Sequence, residues 1–541
     1  MDFVLTLHSH LPWVLHHGRW PHGSDWLCEA TLDTYLPLLE VLERLELEET
    51  ASPLTIGVTP VLANQLAHPD LTVELDAFFT QRLTACDEAT NDFEASGELE
   101  LLPLTQYWRC RLTRLRNLFH RLEGGIVGTL ARHARAGRIE LLSSAATHGF
   151  LPLQRRPESV ALQLRLGRRE HRRLFGIDPS GCWLPECAYR DGLEQPMRDA
   201  GFDFFFVDAH MAQAGHSLGL YGERDFVDGL REPEDVPLDA VYPRSPYRAY
   251  YLRPARGAPV AVLVREQQTS LRVWSRHQGY PGDGGYLEFH KIRWPGGLKL
   301  WRVTGSTVEL GGKLVYDANV ARARAYKHAA DYAGLLHQLH AMARPLGGEL
   351  IATPFDTELF GHWWFEGVDF LGDLYAGLAR QSQVRPVTAS EHLQNGQGPA
   401  RQWIRLAEGS WGANGDFSKW LNPATQWTWD RLGPLEERFW QLARRQLRDC
   451  PPDLEAVWSQ AARELLLAQA SDWQFIISTG AATDYAEKRF TGHCEALDAL
   501  LDALEQQRHE TARRLAGEQA RLDDCFEDPL LTVRDVLDTL D

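Results

Sequence analysis

The sequence predicts an α/β fold, namely a distorted barrel of seven parallel strands followed by a helical C-terminal domain. Seven short apolar runs are typical of buried strands, helical stretches lie between several of them, and polar residues stand where the runs end. The runs cover residues 3–7, 54–58, 139–142, 182–184, 204–207, 260–264 and 350–352. This alternation favours parallel strands joined by crossover helices, although an open doubly wound sheet would show similar spacing.

Chemically capable side chains recur where these runs end. The first run ends at His8 and His10, and the fourth ends at Glu186. The sixth run ends at Arg265, and the seventh leads to Asp356. Because the active site of a parallel barrel gathers at the C-terminal ends of its strands, and a lone polar group is costly to bury, these positions predict a functional site.

The predicted domain organisation has three parts. Residues 1–395 form the catalytic barrel, because the strand-like runs all fall within them. Residues 211–257 are rich in Gly, Pro, Tyr and acidic residues, and loops of this length usually act as lids or binding loops, so we expect an inserted lid or small domain. Residues 396–541 show helical periodicity without strands, which predicts a helical C-terminal domain. Its simplest role is packing, but its several tryptophans lead us to expect that it contributes to the substrate cleft.

Composition narrows the class of partner. The net charge of −18 argues against nucleic acid or an anionic membrane, since binding phosphate groups requires clustered Lys and Arg. No apolar stretch approaches the roughly 20 residues of a membrane span, and the first residues lack the basic start of a secretory signal. The eight cysteines are scattered without a CxxC pair, which indicates reduced thiols and a cytoplasmic location.

Glu186 and Asp356 are the candidates for cleavage of a glycosidic bond. Glu186 follows Pro185 at the end of the fourth run, and Asp356 lies in an aromatic stretch, residues 355–364. Cleavage with retention needs one carboxylate to attack the anomeric carbon and a second acid to protonate the departing oxygen. The alternatives are a salt-bridged Glu186, a helix N-cap at Asp356, and Glu358 as the competing acid.

The 18 tryptophans favour a sugar ligand, because flat aromatic faces stack on pyranose rings. Most of them are expected in the core. Trp274, Trp411 and Trp420 are the better ligand candidates, since they lie in loop contexts rich in Gly, Asn or Ser.

His8 and His10 can share one face of a strand end, which permits a metal site that His148 could join. Hydrogen bonds from these imidazoles to sugar hydroxyls or to Glu186 are equally consistent with the pattern. Asp472, which precedes an apolar run, could bind sugar, cap a helix or pair with a nearby cation. A metal-dependent hydrolase built on His8, His10 and an Asp, such as a polysaccharide deacetylase, is therefore one rival function.

Five segments together resemble glycoside hydrolase family 57, specifically its 1,4-α-glucan branching enzymes. They are residues 7–13, 137–150, 183–189, 354–364 and 471–475, they occur in the family's order, and they span nearly the whole chain. Trp13 departs from the pattern, because similar branching enzymes commonly carry Tyr at that position. Both side chains are aromatic platforms, so the departure leaves the resemblance intact.

The resemblance implies a distorted (β/α)7 barrel, an inserted small domain and a helical C-terminal domain. It makes Glu186 the nucleophile and Asp356 the general acid/base, with no metal and no organic cofactor. It places substrate contacts at Arg265, Gly282, Trp411 and Asp472, and adds His10, His148, Trp274 and Trp420 to the glucan cleft. A loop tyrosine that favours transfer over hydrolysis is expected at Tyr242, with Tyr247 and Tyr250 as competitors.

The implied activity is 1,4-α-glucan branching in glycogen biosynthesis, with α-1,4-glucan such as amylose or glycogen as both donor and acceptor. An α-amylase or a 4-α-glucanotransferase on the same scaffold is the nearest alternative. A glucan-binding protein without turnover is a further one.

Overall fold

The computed structural model describes residues 1–20, 22–213, 244–275, 279–381, 383–395 and 404–540. Within these residues the chain forms nine strands. They are β1 (Asp2–Ser9), β2 (Leu54–Val58), β3 (Ile139–Ser144), β4 (Cys182–Trp183), β5 (Phe204–Val207), β6 (Ala249–Leu252), β7 (Val260–Val264), β8 (Leu350–Asp356) and β9 (Arg385–Pro386).

The α-helices surround these strands and continue beyond them. Those up to the end of the strand region are α1 (Ser24–Ala30), α2 (Leu36–Leu47), α3 (Pro60–Ala67), α4 (Pro69–Ser96), α5 (Leu102–Arg121), α6 (Gly125–Arg135), α7 (Pro157–Phe175), α8 (Glu194–Asp199), α9 (Ala209–Ala212), α10 (Gln267–Trp274), α11 (Ala318–Ala343), α12 (Gly367–Leu378) and α13 (Ala389–Asn395). The C-terminal helices are α14 (Gln426–Gln446), α15 (Glu455–Ala468), α16 (Asp472–Thr479), α17 (Thr483–Glu505), α18 (His509–Gln519) and α19 (Pro529–Leu540).

Seven of the strands close into a parallel ring. The main sheet has the order β4-β3-β2-β1-β8, and β5 pairs in parallel with β7 in a second sheet. Single parallel bridges, Gly181 with Phe204 and Arg265 with Ala352, join β4 to β5 and β7 to β8. The predicted α/β barrel is therefore confirmed, and each predicted apolar run corresponds to one strand of the ring.

The two remaining strands distort the ring at its N-terminal end. β6 runs antiparallel to β7, and the adjacent Tyr247 carbonyl accepts hydrogen bonds from the amides of Glu349 and Leu350 at the start of β8. β9 pairs with the first two residues of β1. Strand β6 thus separates β7 from β8 where they begin, and the two strands meet only at Arg265 and Ala352.

Buried apolar residues explain why these strands form where they do. All of β2, β5 and β7 are buried, and β1 is buried from Phe3 to Ser9. Strands that are covered on both faces read as continuous apolar runs, as the core of a parallel barrel requires. The polar residues that follow them consequently meet at one end of the ring.

A helical excursion, α3 to α6, connects β2 to β3. Its longest member, α4, begins after His68, whose side chain accepts a hydrogen bond from the Asp70 amide, and ends at Gly97 in the left-handed region (φ 79°). Glycine adopts that conformation without steric cost, so it terminates the helix there. The sequence analysis did not predict this excursion.

Residues beyond 404 pack helices against one another and against the barrel. Helices α15 and α17 lie together, and α19 lies on α7 of the barrel. Trp13 is 1% exposed, and its Nε1 donates to the Leu522 carbonyl at 2.9 Å, so the C-terminal tail covers it. The three-part domain division itself stays a prediction, because residues 214–243 of the expected insertion lie outside the described residues. In the described residues, no helix has the length and apolar character to cross a bilayer.

Candidate active site

Glu186 is held at the end of β4 by an unusual backbone turn. Pro185 precedes it, and both Glu186 (φ 61°) and Cys187 (φ 47°) occupy the left-handed region, which costs a non-glycine residue about 1 kcal/mol or more. The turn is fixed by the amide of Trp411, which donates to the Glu186 carbonyl at 3.0 Å. Backbone strain of this kind is typical of functional sites, where the surrounding structure holds a side chain in one orientation.

The Glu186 carboxylate receives two hydrogen bonds from the C-terminal part of the chain. Trp411 Nε1 donates to Oε2 at 2.9 Å, and Ser471 Oγ donates to Oε1 at 3.1 Å. Burial raises the pKa of Glu186 to about 7, opposed by the Trp411 hydrogen bond and assisted by the charge of Asp472. The group therefore exchanges its proton near neutral pH, and it is ionised in a substantial fraction of molecules.

Asp356 is the last residue of β8, in register with His8 on β1. Burial raises its pKa well above the usual range, the charges of Glu358 and Glu186 raise it further, and Arg265 opposes them. Among the described residues, no hydrogen-bond donor reaches its carboxylate. The protonated form of Asp356 is thus favoured by its burial and by the two neighbouring acids.

Glu358, the competing acid of the sequence analysis, is built into the supporting structure. Its Oε1 accepts from Tyr35 Oη at 2.5 Å and from the His10 amide at 3.2 Å. Burial raises its pKa to about 7, and the Tyr35 hydrogen bond acts in the opposite direction. It ties β8 to β1 and adds to the electrostatic field that keeps Asp356 protonated.

Three histidines form a stack beside the two acids. The rings of His10 and His148 lie 4.0 Å apart, and His8 Nε2 lies 3.0 Å from His148 Nε2. Burial lowers the pKa of His8 and of His148 well below the ordinary value, with His10 adding to the effect. Ser471 connects the stack to the nucleophile candidate, because its Oγ lies 3.0 Å from His148 Nδ1 as well as bonding Glu186.

His10 lies between the barrel and the C-terminal helices. Its Nε2 is 2.9 Å from Asp472 Oδ2, and its Nδ1 is 3.0 Å from Thr59 Oγ1. The described residues contain two groups that could hold a metal ion, and neither includes His8 or His10. The metal hypothesis for this strand end therefore gains no support from the geometry.

Arg265 brings positive charge and aromatic surface to the same end of the barrel. It is 1% exposed, its Nη1 lies 3.4 Å from Asp208 Oδ2, and its guanidinium lies 5.2 Å from the Trp411 ring centroid and 5.7 Å from that of Trp274. Trp411 also meets Trp183 edge to face at 5.0 Å. Arg265, Trp274 and Trp411 thus form one wall beside the acids.

Three sequence-predicted residues lie elsewhere or outside the description. Trp420 is 1% exposed and stacks on Phe150 at 4.5 Å, so its ring lies in the core behind Gly412 rather than on an open surface. Gly282 ends the short turn Tyr280–Gly282, which follows α10 and packs against it. Tyr242 lies outside the described residues.

The two competing tyrosines are both engaged by the barrel. Tyr247 Oη donates to Glu266 Oε1 at 3.1 Å, and Tyr250 is buried with its hydroxyl bonded to the Ser245 carbonyl. Both hydroxyl groups already form hydrogen bonds within the barrel region, so Tyr242 stays the predicted loop tyrosine.

Three contributors were missed by the sequence analysis as site residues. They are Ser471, Thr59 and Trp183. Asp208, which the sequence places at the end of the fifth apolar run among the chemically capable strand ends, joins the site through Arg265. Ser471 had a signal in its position beside Asp472. Thr59 and Trp183 carry no signal in the sequence that distinguishes them from structural residues.

Comparisons with known proteins agree with this geometry. Residues 4–407 match the family model described as glycosyl hydrolase family 57, and residues 432–530 match the model described as 1,4-alpha-glucan branching enzyme, C-terminal. The chain is 36% identical over 518 residues to a 1,4-alpha-glucan branching enzyme of Thermococcus kodakarensis, covering 93% of this chain and 73% of that protein.

Two solved structures are similar to this chain over nearly its whole length. The crystal structure of the Thermococcus enzyme, a family 57 branching enzyme, is similar at a TM-score of 0.88 and 35% identity, covering 97% of this chain and 94% of that one. The α-amylase AmyC of Thermotoga maritima is similar at a TM-score of 0.80 and 28% identity, covering 99% of both chains.

Proposed function

Because the chain belongs to glycosyl hydrolase family 57, we propose that it is a 1,4-α-glucan branching enzyme. It cleaves an α-1,4 linkage of a glucan and transfers the released chain to a 6-hydroxyl, which creates an α-1,6 branch. The observation that carries the proposal is the pair of partly buried acids at the ends of β4 and β8, where the charge of Glu186 raises the pKa of Asp356.

The first chemical step forms a glycosyl ester. The Glu186 carboxylate attacks C1 of an α-1,4-linked glucose, and the bond from C1 to the departing oxygen breaks. Asp356 gives its proton to that oxygen, so the leaving chain departs as an alcohol. The donor glucan is then attached to Glu186 with inverted configuration, and Asp356 is a carboxylate.

The surroundings of the two acids support these roles. A nucleophile must be ionised and an acid must be protonated in the same molecule, so their pKa values must be ordered accordingly. Two hydrogen bonds favour the ionised form of Glu186, while burial and two neighbouring acids raise the pKa of Asp356 well above its usual range.

The second step transfers the chain to the acceptor. The Asp356 carboxylate removes the proton from an acceptor 6-hydroxyl, whose oxygen attacks C1 and displaces Glu186. The α configuration is restored, and both acids return to their initial states. Branching rather than hydrolysis requires the acceptor to be positioned and water to be excluded, which we assign to the wall of Arg265, Trp274 and Trp411 and to the loop that carries Tyr242.

The remaining substrate contacts follow from the same placement. His10 and His148, whose rings stack on each other, lie beside Glu186, and we propose that their ring edges contact the glucan while Asp472 holds His10 in place. Gly282 offers a backbone surface that a sugar can approach closely. Trp420 supports the Trp411 loop from within the core, and this is the contribution that we propose for it.

The test is proton NMR of amylose after incubation with the purified protein. Growth of α-1,6 signals at the expense of α-1,4 signals is the expected result. Glu186→Gln, prepared in parallel, is expected to produce no change, which excludes a contaminating activity. Only linear products or new reducing ends from the wild type would reject branching.

An α-amylase is the second candidate, because the similarity to AmyC covers 99% of both chains. The C-terminal match to branching enzymes favours transfer over hydrolysis. The ratio of reducing ends to branch points in the same NMR samples separates the two activities.

We also propose a cytoplasmic role in glycogen biosynthesis, with α-1,4-glucan as donor and acceptor. The eight cysteines are all free thiols, as expected for a reducing compartment. Fractionation of cells that express the untagged protein, followed by detection of branching activity in each fraction, tests the location.

A further inference from the structure

Four side chains from three distant segments converge on the surface near the C-terminal tail. His16 follows β1, His68 and Asp70 stand at the start of α4, and Asp524 belongs to the tail between α18 and α19. These four residues are called the tail cluster. One donor atom from each of His16, His68 and Asp70 lies within 4.8 Å of the other two.

The tail cluster alternates imidazoles and carboxylates in a closed ring. Asp70 Oδ2 lies 2.8 Å from His16 Nε2 and 3.9 Å from His68 Nδ1. Asp524 faces the opposite nitrogens, with Oδ2 at 3.2 Å from His68 Nε2 and Oδ1 at 3.9 Å from His16 Nδ1. His16 Nδ1 is buried and has no hydrogen-bond partner among the described residues.

We propose that the tail cluster binds a zinc-like divalent transition-metal ion through His16, His68 and Asp70. Two ligands of one zinc ion, each about 2.0–2.2 Å from it, stand at most about 4.4 Å apart. The distances of Asp70 Oδ2 to the two imidazole nitrogens, 2.8 and 3.9 Å, fall within that limit. Imidazole with carboxylate is a ligand set that suits zinc, and water completes the coordination at this partly exposed position.

Asp524 occupies the place of an outer partner. An imidazole that binds a metal through one nitrogen usually donates its other N–H to a carboxylate, which fixes the tautomer and the ring orientation. His68 has this arrangement, because Nδ1 faces Asp70 and Nε2 faces Asp524. The same nitrogen, Nδ1, now accepts a hydrogen bond from the Asp70 amide at 3.1 Å, and the ion replaces that contact.

In the second candidate group, Glu464, His493 and Asp523, potential ligand atoms are already engaged by other side chains. Arg489 Nη2 lies 3.2 Å from His493 Nε2, and His17 Nε2 lies 2.7 Å from Asp523 Oδ1. These contacts occupy two of the atoms that would have to bind an ion. Among the described residues, no guanidinium or ammonium group forms an ion pair with Asp70 or Asp524, and the side chains paired with these carboxylates are the imidazoles of His16 and His68.

A bound ion joins the loop after β1, the start of α4 and the C-terminal tail. These segments already meet where the tail carbonyl of Leu522 accepts from Trp13, whose ring touches His16 and His68 edge to face. Because the unfolded chain does not assemble these ligands, binding adds to the stability of the folded state. The inference is independent of the proposed branching activity, since none of these residues contacts the two acids.

The test is titration of the chelator-treated full-length protein with ZnCl2 and with CoCl2. We expect one tight site, a visible Co²⁺ absorption spectrum typical of nitrogen and oxygen ligands, and a higher Tm with Zn²⁺. His16→Asn, which tolerates the left-handed backbone at that position (φ 66°), and Asp70→Asn should weaken binding at least about tenfold. Asp524→Asn should weaken it by a factor of about 10.

His120→Asn is the matched control. His120 Nε2 lies 3.0 Å from Asp76 Oδ1, so the variant loses a surface His–Asp pair without a second imidazole. Binding and the Zn²⁺ effect on Tm should be unchanged in this variant, as should branching in every variant. Equal Zn²⁺ binding in the wild type, His16→Asn and Asp70→Asn, or no site tighter than millimolar, would overturn the proposal.

Discussion

Glu186 and Asp356 both end a barrel strand, yet their surroundings differ in one respect. The Glu186 carboxylate accepts hydrogen bonds from Trp411 and Ser471, whereas no donor among the described residues reaches Asp356. Hydrogen bonds to a carboxylate favour its charged form, and an apolar site beside other acids favours the neutral form. Burial alone therefore does not determine which acid serves as the proposed nucleophile and which as the proton donor. The hydrogen bonds from Trp411 and Ser471, in the C-terminal part of the chain, distinguish the two carboxyl groups.

Glu186→Gln tests the ionised member of the pair and has the largest expected effect. An amide cannot form the glycosyl ester, so the rate of branching should fall by at least about 10⁴-fold. Initial rates on amylose measure the loss, with circular dichroism as the check that the fold is intact. Activity within tenfold of the wild type would remove Glu186 as the nucleophile.

Asp356→Asn tests the protonated member of the pair. Loss of acid/base assistance should lower the rate on amylose by about 10²–10⁴-fold. An activated aryl glucoside whose leaving group needs no proton should restore the first step, so release of the phenol should occur as a burst. The assignment of the two roles would be wrong if Glu186→Gln released the phenol in a burst and Asp356→Asn did not.

Trp411→Phe sharpens the comparison by removing one donor from Glu186 while keeping an aromatic ring. The indole hydrogen bond lowers the pKa of Glu186, so its loss raises that pKa further. The acidic limb of the profile of kcat/KM against pH should therefore move to higher pH, with about a tenfold loss of activity at neutral pH. An unchanged acidic limb with uniformly lower activity would show that Trp411 acts only by stacking.

Ser471→Ala is the companion variant for that measurement. It removes the second donor to Glu186 and the contact with His148 without touching the aromatic wall. The acidic limb should move in the same direction by a smaller amount, because a hydroxyl bond at 3.1 Å favours the anion less than the indole bond at 2.9 Å. A shift to lower pH would contradict the proposed role of both donors.

Glu358→Gln has the smallest expected effect and concerns stability. The pKa of Glu358 is raised by burial to about 7, above its value in an unfolded chain, so the folded state binds the proton more tightly. Its contribution to the free energy of unfolding is therefore present at low pH and is lost as the pH rises from about 4.5 to about 7. The amide oxygen can still accept from Tyr35, so Glu358→Gln should be about 1–3 kcal/mol more stable than the wild type at pH 8.

Denaturant titrations of Glu358→Gln and the wild type at pH 5 and pH 8 measure this difference. The difference in the free energy of unfolding between the two proteins should be larger at pH 8 than at pH 5. Asp33→Asn is the contrasting control, because Lys299 holds the pKa of Asp33 below its usual range and the variant should lose stability at pH 8. A difference in the free energy of unfolding that becomes smaller as the pH rises would contradict the inference that Glu358 is buried in its protonated form.

The seven ring strands were predictable because each is buried on both faces and reads as a continuous apolar run. Strand β9 was not, since two residues, Arg385–Pro386, carry no periodic pattern. Strand β6 was missed for another reason. Its Ala249–Leu252 segment pairs in the antiparallel direction at the end of a polar insertion, where turn residues dominate the local sequence.

The site was predictable where a strand end delivers the side chain, as at Glu186, Arg265 and Asp356. It was not predictable where the contact depends on how the C-terminal helices dock. Ser471 is 285 residues from Glu186, and only the packing of that region brings its hydroxyl to the carboxylate. Trp420 shows the converse, because a loop-like composition near a glycine suggested an open ring and the packing buried it.

The hydrogen bonds from Trp411 and Ser471 to Glu186, the proposed nucleophile, limit how members of this family can be recombined. A chimera joined between the barrel and the C-terminal helices would combine one parent's carboxylate with the other parent's hydrogen-bond donors. Since residues in contact do not contribute independently, the acidity of the attacking group would change together with the swapped segment. Engineering of branch length by exchange of C-terminal segments therefore has to keep these two side chains with the barrel that they serve.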